Sequence, residues 1–143
     1  MAKRSSAGKA LRQIERALSL LDARGRAPEA VVRARAETVL HLVGKVPAAI
    51  FIANDRGRYV DVNRAATTLT GYSRRELLGM AVWDLTPKPR QTLGRRLWRS
   101  FLARGRMSGE YQVCHKSGRI IVARYFAVAN VLPGVHVSAL ARL

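Results

Sequence analysis

The sequence predicts an α+β fold, with one antiparallel sheet, short helices on one of its faces, and a helical hairpin ahead of it. Three observations predict this. The first 46 residues place apolar side chains at helical spacing, and from residue 47 the pattern changes to short β-prone runs separated by turn residues. Between the first two such runs and the last three lie several short, sharply punctuated helices and one longer one. Strands, helices and strands in that order segregate the helices to one side of a single sheet.

Taken in order, residues 1–8 (MAKRSSAG) read as a disordered tail. From residue 9 to about 24, Leu11, Ile14, Leu18 and Leu21 make one apolar face of a helix that Gly25 can stop. Pro28 suits the first turn of a second helix, and Glu29 favours its positive end. Val31, Val32, Val39, Leu40, Leu42 and Val43 give that helix a broad apolar side, ended by Gly44 and Pro47. A hairpin of this size, residues 9–46, cannot bury its own faces and requires the rest of the chain or a second copy of itself.

AIFIAN and YVDV, joined by the turn Asp55-Arg56-Gly57-Arg58, read as a β-hairpin. Asn63 is a good cap for a helix over residues 64–69, and Gly71 can end it. Ser73 and Glu76 have the capping-box spacing, with Gly79 expected to close that short helix. A turn at residues 83–85 and a start at Thr86-Pro87 precede a helix over residues 91–103. GEYQVCH and IIVARYFAVANVL, joined by the Lys116–Arg119 turn, read as long antiparallel strands, and VHVSALARL after Pro133-Gly134 as the last. In the middle strand Ile121, Ala123, Tyr125 and Ala127 point one way and Val122, Phe126 and Val128 the other, a pattern expected of a sheet covered on both faces.

The 143 residues suffice for one domain with a core. No apolar run reaches membrane-spanning length, and the basic start is followed by no apolar signal core, so a cytoplasmic protein without membrane association is expected. A single cysteine, Cys114, excludes an internal disulfide and a cysteine-built zinc cage. Lysine and arginine number 26 against 9 acids, a net charge of +17. Such a charge speaks to partners and solubility and leaves the fold open.

The stretch IFIANDRGRYVDVNRAATTLTGYSRRELLG resembles the first half of a PAS domain, and GEYQVCHKSGRIIVARYFAVANVLPGVHVSAL is similar to its closing three strands. The likeness spans residues 47–143. It implies a five-stranded antiparallel sheet cupped by small helices, in a family whose members sense ligands, bind cofactors or mediate dimerisation and are mostly not enzymes, so a non-enzymatic bacterial signal-transduction module is expected. It further implies flanking helices that pair across a homodimer, a role falling here to Leu11, Ile14, Leu18, Leu21, Val32, Val39 and Val43. Flavin-adduct members carry a cysteine after the GYS turn, where this chain has GMAVWDLTPKPR. Haem-binding oxygen sensors carry a histidine on the long helix, and residues 88–106 hold none. Both cofactors are therefore disfavoured. The sequence runs to ALARL with no kinase, cyclase or helix-turn-helix behind it, so the expectation is a module that works alone, signals through a partner protein in trans, or is a fragment of a larger sensor.

No catalytic constellation is legible. The carboxylates Asp55, Asp61, Glu76, Asp84 and Glu110 are scattered over turns, caps and strand ends. Cys114 and His115 are strand neighbours whose side chains diverge, and His41 and His136 read as structural. The alternation does place Tyr111, Val113, Ile121, Ala123, Tyr125 and Ala127 on one sheet face, with Leu97 and Phe101 of the long helix above. The small alanines leave room there for a small apolar or aromatic molecule, and Tyr125 could offer it a hydroxyl. On the opposite helix face Arg95, Arg96 and Arg99, with no acid between residues 88 and 106, could hold an anionic partner or bind nucleic acid weakly and with little sequence preference.

Overall fold

The structure, a computed structural model, describes residues 8–13, 27–43 and 45–143. Most of the expected tail, the first helix beyond residue 13 (Ile14, Leu18 and Leu21 with it), and the stops at Gly25 and Gly44 lie outside the described residues. Residues 8–13 are helical. Helix α1, Glu29–Val43, precedes strands β1 (Ala49–Ala53) and β2 (Tyr59–Val62). Helices α2 (Arg64–Thr70) and α3 (Arg74–Leu77) follow, then two 3₁₀ turns, Val82–Leu85 and Lys88–Arg90, and helix α4 (Gln91–Arg104). Strands β3 (Arg106–Cys114), β4 (Ile120–Leu132) and β5 (Val135–Arg142) complete the chain. The five strands form one antiparallel sheet in the order β2-β1-β5-β4-β3.

The punctuation of the middle segment works through hydrogen bonds. Asn63 accepts from the Ala66 amide at the head of α2 at 3.0 Å and from the Ile50 amide of β1 at 2.9 Å, and its Nδ2 donates to the Ala48 carbonyl at 2.9 Å. The cap thus fastens the helix to the sheet as well as starting it. Gly71 ends α2 in the left-handed region, φ 75°, where an L side chain is disfavoured. Ser73 and Glu76 form a reciprocal capping box on α3. That helix ends one residue before the expected glycine, because Leu78 caps it in an ordinary right-handed conformation.

The inner sheet face and the small helices enclose one core, built on Phe51, Val62, Leu77, Leu85, Val113 and Ala123. The outer face packs on α1 through Val32, Ala36, Ile50, Ile52 and Val135. Val39 and Val43 pack against this second cluster. The apolar face of α1 expected to pair across a dimer is therefore largely engaged within the protomer, whereas Leu11 is exposed. Helix α1 covers the β1, β2 and β5 side and reaches β4 at its Leu132 end, so the outward Val122 and Phe126 of β4 stay exposed at 41% and 52%. Their apolar alternation does not mark a face that the described helices cover.

Two irregularities shape the inner face. Ala53 pairs with Tyr59 but Ile52 with Asp61, so Val60 is an extra residue in β2. This bulge brings Tyr59 and Val62, three apart in sequence, into the same inner core while Val60 packs outside. A second shift lies between Val128 and Leu132 of β4, where Asn130 adopts φ 52°.

Candidate functional site

A cavity of about 100 Å³ lies between α4 and the inner face of the sheet. Leu97, Trp98 and Phe101 of α4 form its roof. Tyr111 and Val113 of β3 and Tyr125 and Ala127 of β4 contribute to its floor. Six of the eight residues expected to line a pocket (Leu97, Phe101, Tyr111, Val113, Tyr125 and Ala127) thus border one space. The pairing of Tyr111 with Ala123 and of Val113 with Ile121 puts the two remaining residues on the same face. They do not border the cavity: Ala123 is buried in the inner core with Leu77 and Val113, and Ile121 is buried too. The cavity lies toward the Ala127 end of β4, so only the alanine at 127 leaves space in it.

Gly94 lets α4 approach the sheet closely. A Cβ there would stand 3.0 Å from Thr86 Oγ1 and 3.1 Å from Tyr111 Oη. These two hydroxyls share a hydrogen bond, so the Tyr111 phenol is satisfied by the chain itself.

Several lining residues were not anticipated: Phe51 and Ala53 of β1, Tyr59 of β2, and His136, Ser138 and Leu140 of β5. The β5 set was within reach, since alternation in VHVSAL puts His136, Ser138 and Leu140 on one face; what was missing was the neighbour. β5 lies between β1 and β4, with Ala53 opposite His136 and Ala127 opposite Ser138. Tyr59 was not accessible to alternation, because the Val60 bulge shifts it to the face of Val62.

His136 is 2% exposed and fully engaged. Its Nδ1 accepts from the Asn130 amide at 3.0 Å, so the ring proton lies on Nε2, which donates to Asp55 Oδ1 at 2.8 Å. The edges and faces of Trp98 and Phe101 bracket the ring, with centroids at 5.5 and 6.2 Å. The structural role expected of His136 is thus performed at the cavity wall. Burial pushes the Tyr59 phenol far above the usual tyrosine range, and neighbouring Tyr111 and Asp84 add to the effect. Burial and then Tyr111 raise that of Tyr125. Both remain protonated at neutral pH.

Outside the cavity, Arg95, Arg96 and Arg99 are exposed, and among the described residues none of them makes an ion pair. Arg95 lies over the Trp83 ring at 5.6 Å. Cys114 Sγ contacts the His115 carbonyl, and the His115 ring turns to Ser117 Oγ at 2.9 Å. No group of three or more His, Cys, Asp or Glu side chains among the described residues is placed to hold a metal ion, and none of the described helices is long and apolar enough to cross a membrane.

The fold has many relatives of known structure. A PAS domain from Desulfitobacterium hafniense superposes with a TM-score of 0.64 at 21% identity, covering 72% of this chain and 99% of that one. A domain of a sensory box sensor histidine kinase/response regulator from Geobacter sulfurreducens gives 0.61 at 20% identity, covering 74% and 92%. The PAS domain of a LuxR-family transcriptional regulator from Burkholderia thailandensis, solved in complex with ethanol, gives 0.59 at 19% identity, covering 75% and 96%. No curated protein sequence matches the chain. At these identities the structures show the fold, and the sequence itself supplies the family: the PAS domain model matches residues 47–137. With the sheet order, the capped helices and that match in agreement, the chain belongs to the PAS domain family.

Proposed function

We propose that this protein is a non-enzymatic sensory module that holds a small uncharged molecule in the cavity under α4 and transmits its presence to the N-terminal helices, acting as a homodimer or on a partner protein. The observation that carries this reading is the cavity itself, about 100 Å³ with mostly apolar walls in an otherwise packed core. Kinship with signalling proteins supports it, as does the ethanol bound by the Burkholderia relative. The volume is below the roughly 150 Å³ that accommodates benzene, so a flavin or haem would require α4 to move away from the sheet.

A contiguous route for coupling supports the second half of the reading. His136 at the cavity wall holds the Asn130 amide and Asp55. Asn130 Oδ1 accepts from Gly134, and the Pro133 carbonyl accepts from Arg35 of α1. Val32 of α1 packs where a Cβ on Gly134 would meet it at 3.4 Å. A shift of the His136 ring on ligand entry would therefore be felt at the base of α1. Native mass spectrometry of the full-length protein tests the ligand and the dimer together, since a dimer carrying a small co-purified molecule is expected. A monomer at high micromolar concentration would sink the dimer claim, and a dimer left intact by deletion of residues 1–46 would sink the role of the N-terminal helices in it.

A second reading has its own observation: the exposed Arg95, Arg96 and Arg99, which make no ion pair among the described residues. Binding of an acidic partner or nucleic acid there should weaken steeply with salt and vanish in an Arg95→Glu/Arg99→Glu variant. Binding that is flat with salt would reject it.

A further inference from the structure

Tyr59 borders the cavity and is 6% exposed, yet its hydroxyl makes no hydrogen bond with any described residue. Its ring packs in the inner core, with the Phe51 ring at 5.3 Å between centroids. Every fully enclosed side-chain nitrogen or oxygen among the described residues has a partner. A phenol without one must therefore adjoin open space, and the space that Tyr59 lines is the cavity. Two polar neighbours on the cavity wall contrast with it. The Tyr111 hydroxyl is paired with Thr86, and both nitrogens of His136 are occupied by Asn130 and Asp55. A buried donor left unpaired is costly, and the cost is relieved when a ligand supplies the acceptor.

We infer that the cavity selects a small neutral oxygen-bearing molecule (a short ketone, aldehyde or alcohol), anchored by a hydrogen bond from the Tyr59 hydroxyl to its oxygen. This inference rests on the ligand-binding reading above and names the chemistry of the ligand. Neutrality follows from the walls, where no described residue is an Asp, Glu, Lys or Arg that could pair a buried ion. Burial keeps the Tyr59 phenol protonated and so a donor. Size follows from volume: if roughly 150 Å³ accepts the six carbons of benzene, this cavity takes about four or five heavy atoms. The bulge at Val60 is the device that makes the site, since without it Tyr59 would face the side of α1.

The test pairs two isosteric probes, 2-butanone and 2-methyl-1-butene, titrated into ¹⁵N-labelled full-length protein and followed by NMR. In the wild type both should shift the amides of Tyr125, Ala127 and Ser138. Tyr59→Phe should weaken 2-butanone by roughly three- to tenfold, the range of one neutral hydrogen bond, and leave 2-methyl-1-butene unchanged or bound more tightly. The unliganded variant should melt no lower than the wild type, because no intramolecular hydrogen bond is lost. If neither probe shifts these amides, the ligand-binding reading fails and this inference with it. If the hydrocarbon binds while Tyr59→Phe leaves 2-butanone unaffected, the cavity stands, and the Tyr59 anchor is overturned in favour of a hydroxyl served by water alone. A Tyr59→Phe protein that does not fold would show that the hydroxyl is needed by the fold, which also overturns it.

Discussion

The imidazole of His136 and the carboxylate of Asp55 meet at 2.8 Å, joining the cavity wall to the β1–β2 turn across 81 residues of sequence. The histidine side chain is 1% exposed and the carboxylate 50%, so the two partners differ in what their removal costs. Asp55→Ala leaves Nε2 near water and should cost about 1 kcal/mol. His136→Ala leaves the Asn130 amide without its acceptor and a void between Trp98 and Phe101, and should cost about 3 kcal/mol. Urea unfolding of the two variants checks this asymmetry, and equal losses would contradict it.

Asn63 combines a helix cap with two bonds to the β1 segment. Asn63→Ala removes the cap and strands the Ile50 amide and the Ala48 carbonyl, for an expected loss of about 2–4 kcal/mol. Asn63→Asp keeps the acceptor and loses the Nδ2 donor that serves Ala48, so its unfolding midpoint should fall between those of wild type and Asn63→Ala.

Gly71 sits at φ 75°, and a Cβ there would stand 2.4 Å from Cε1 of His115. Gly71→Ala therefore meets a backbone penalty of about 1–2 kcal/mol and a steric one. In a His115→Ala background only the backbone penalty remains, so a double-mutant cycle should show a coupling of at least about 0.5 kcal/mol. Additive effects would mean that the ring simply turns aside.

Glu76 carries a pH dependence of known sign. Its hydrogen bonds with Lys116 and with the Ser73 backbone hold its carboxyl below the ordinary value of 4.5. A depressed value means that the stabilisation is present above the unfolded-state pKa and is lost as pH falls through the folded one. Glu76→Gln should therefore flatten the acid limb of the stability–pH curve below about pH 5 and leave its shape at neutral pH unaltered. Being exposed, the pair should also weaken with salt.

Much of the architecture was legible from local chemistry. The caps at Asn63 and Ser73, the stop at Gly71 and the bounds of β4 depend on residues within a few positions of one another, and the structure places them as the spacing predicts, apart from the end of α3 at Leu78 rather than Gly79. Six lining residues follow from alternation on β3 and β4 together with the apolar face of α4. Ile121 and Ala123 share that face without reaching the cavity, because alternation assigns a face and says nothing about position along it.

By itself, then, the sequence determined the element types, their order, the family and one wall of the cavity, because periodicity and capping are short-range properties of the chain. Only the tertiary structure decided what stands opposite that wall. The strand order set β5 between β1 and β4, bringing His136 beneath Trp98 and Phe101. A single extra residue in β2 turned the Tyr59 hydroxyl from the α1 side to the interior. Both depend on pairing between segments far apart in sequence, and a one-residue change in register inverts a strand's faces without altering its composition.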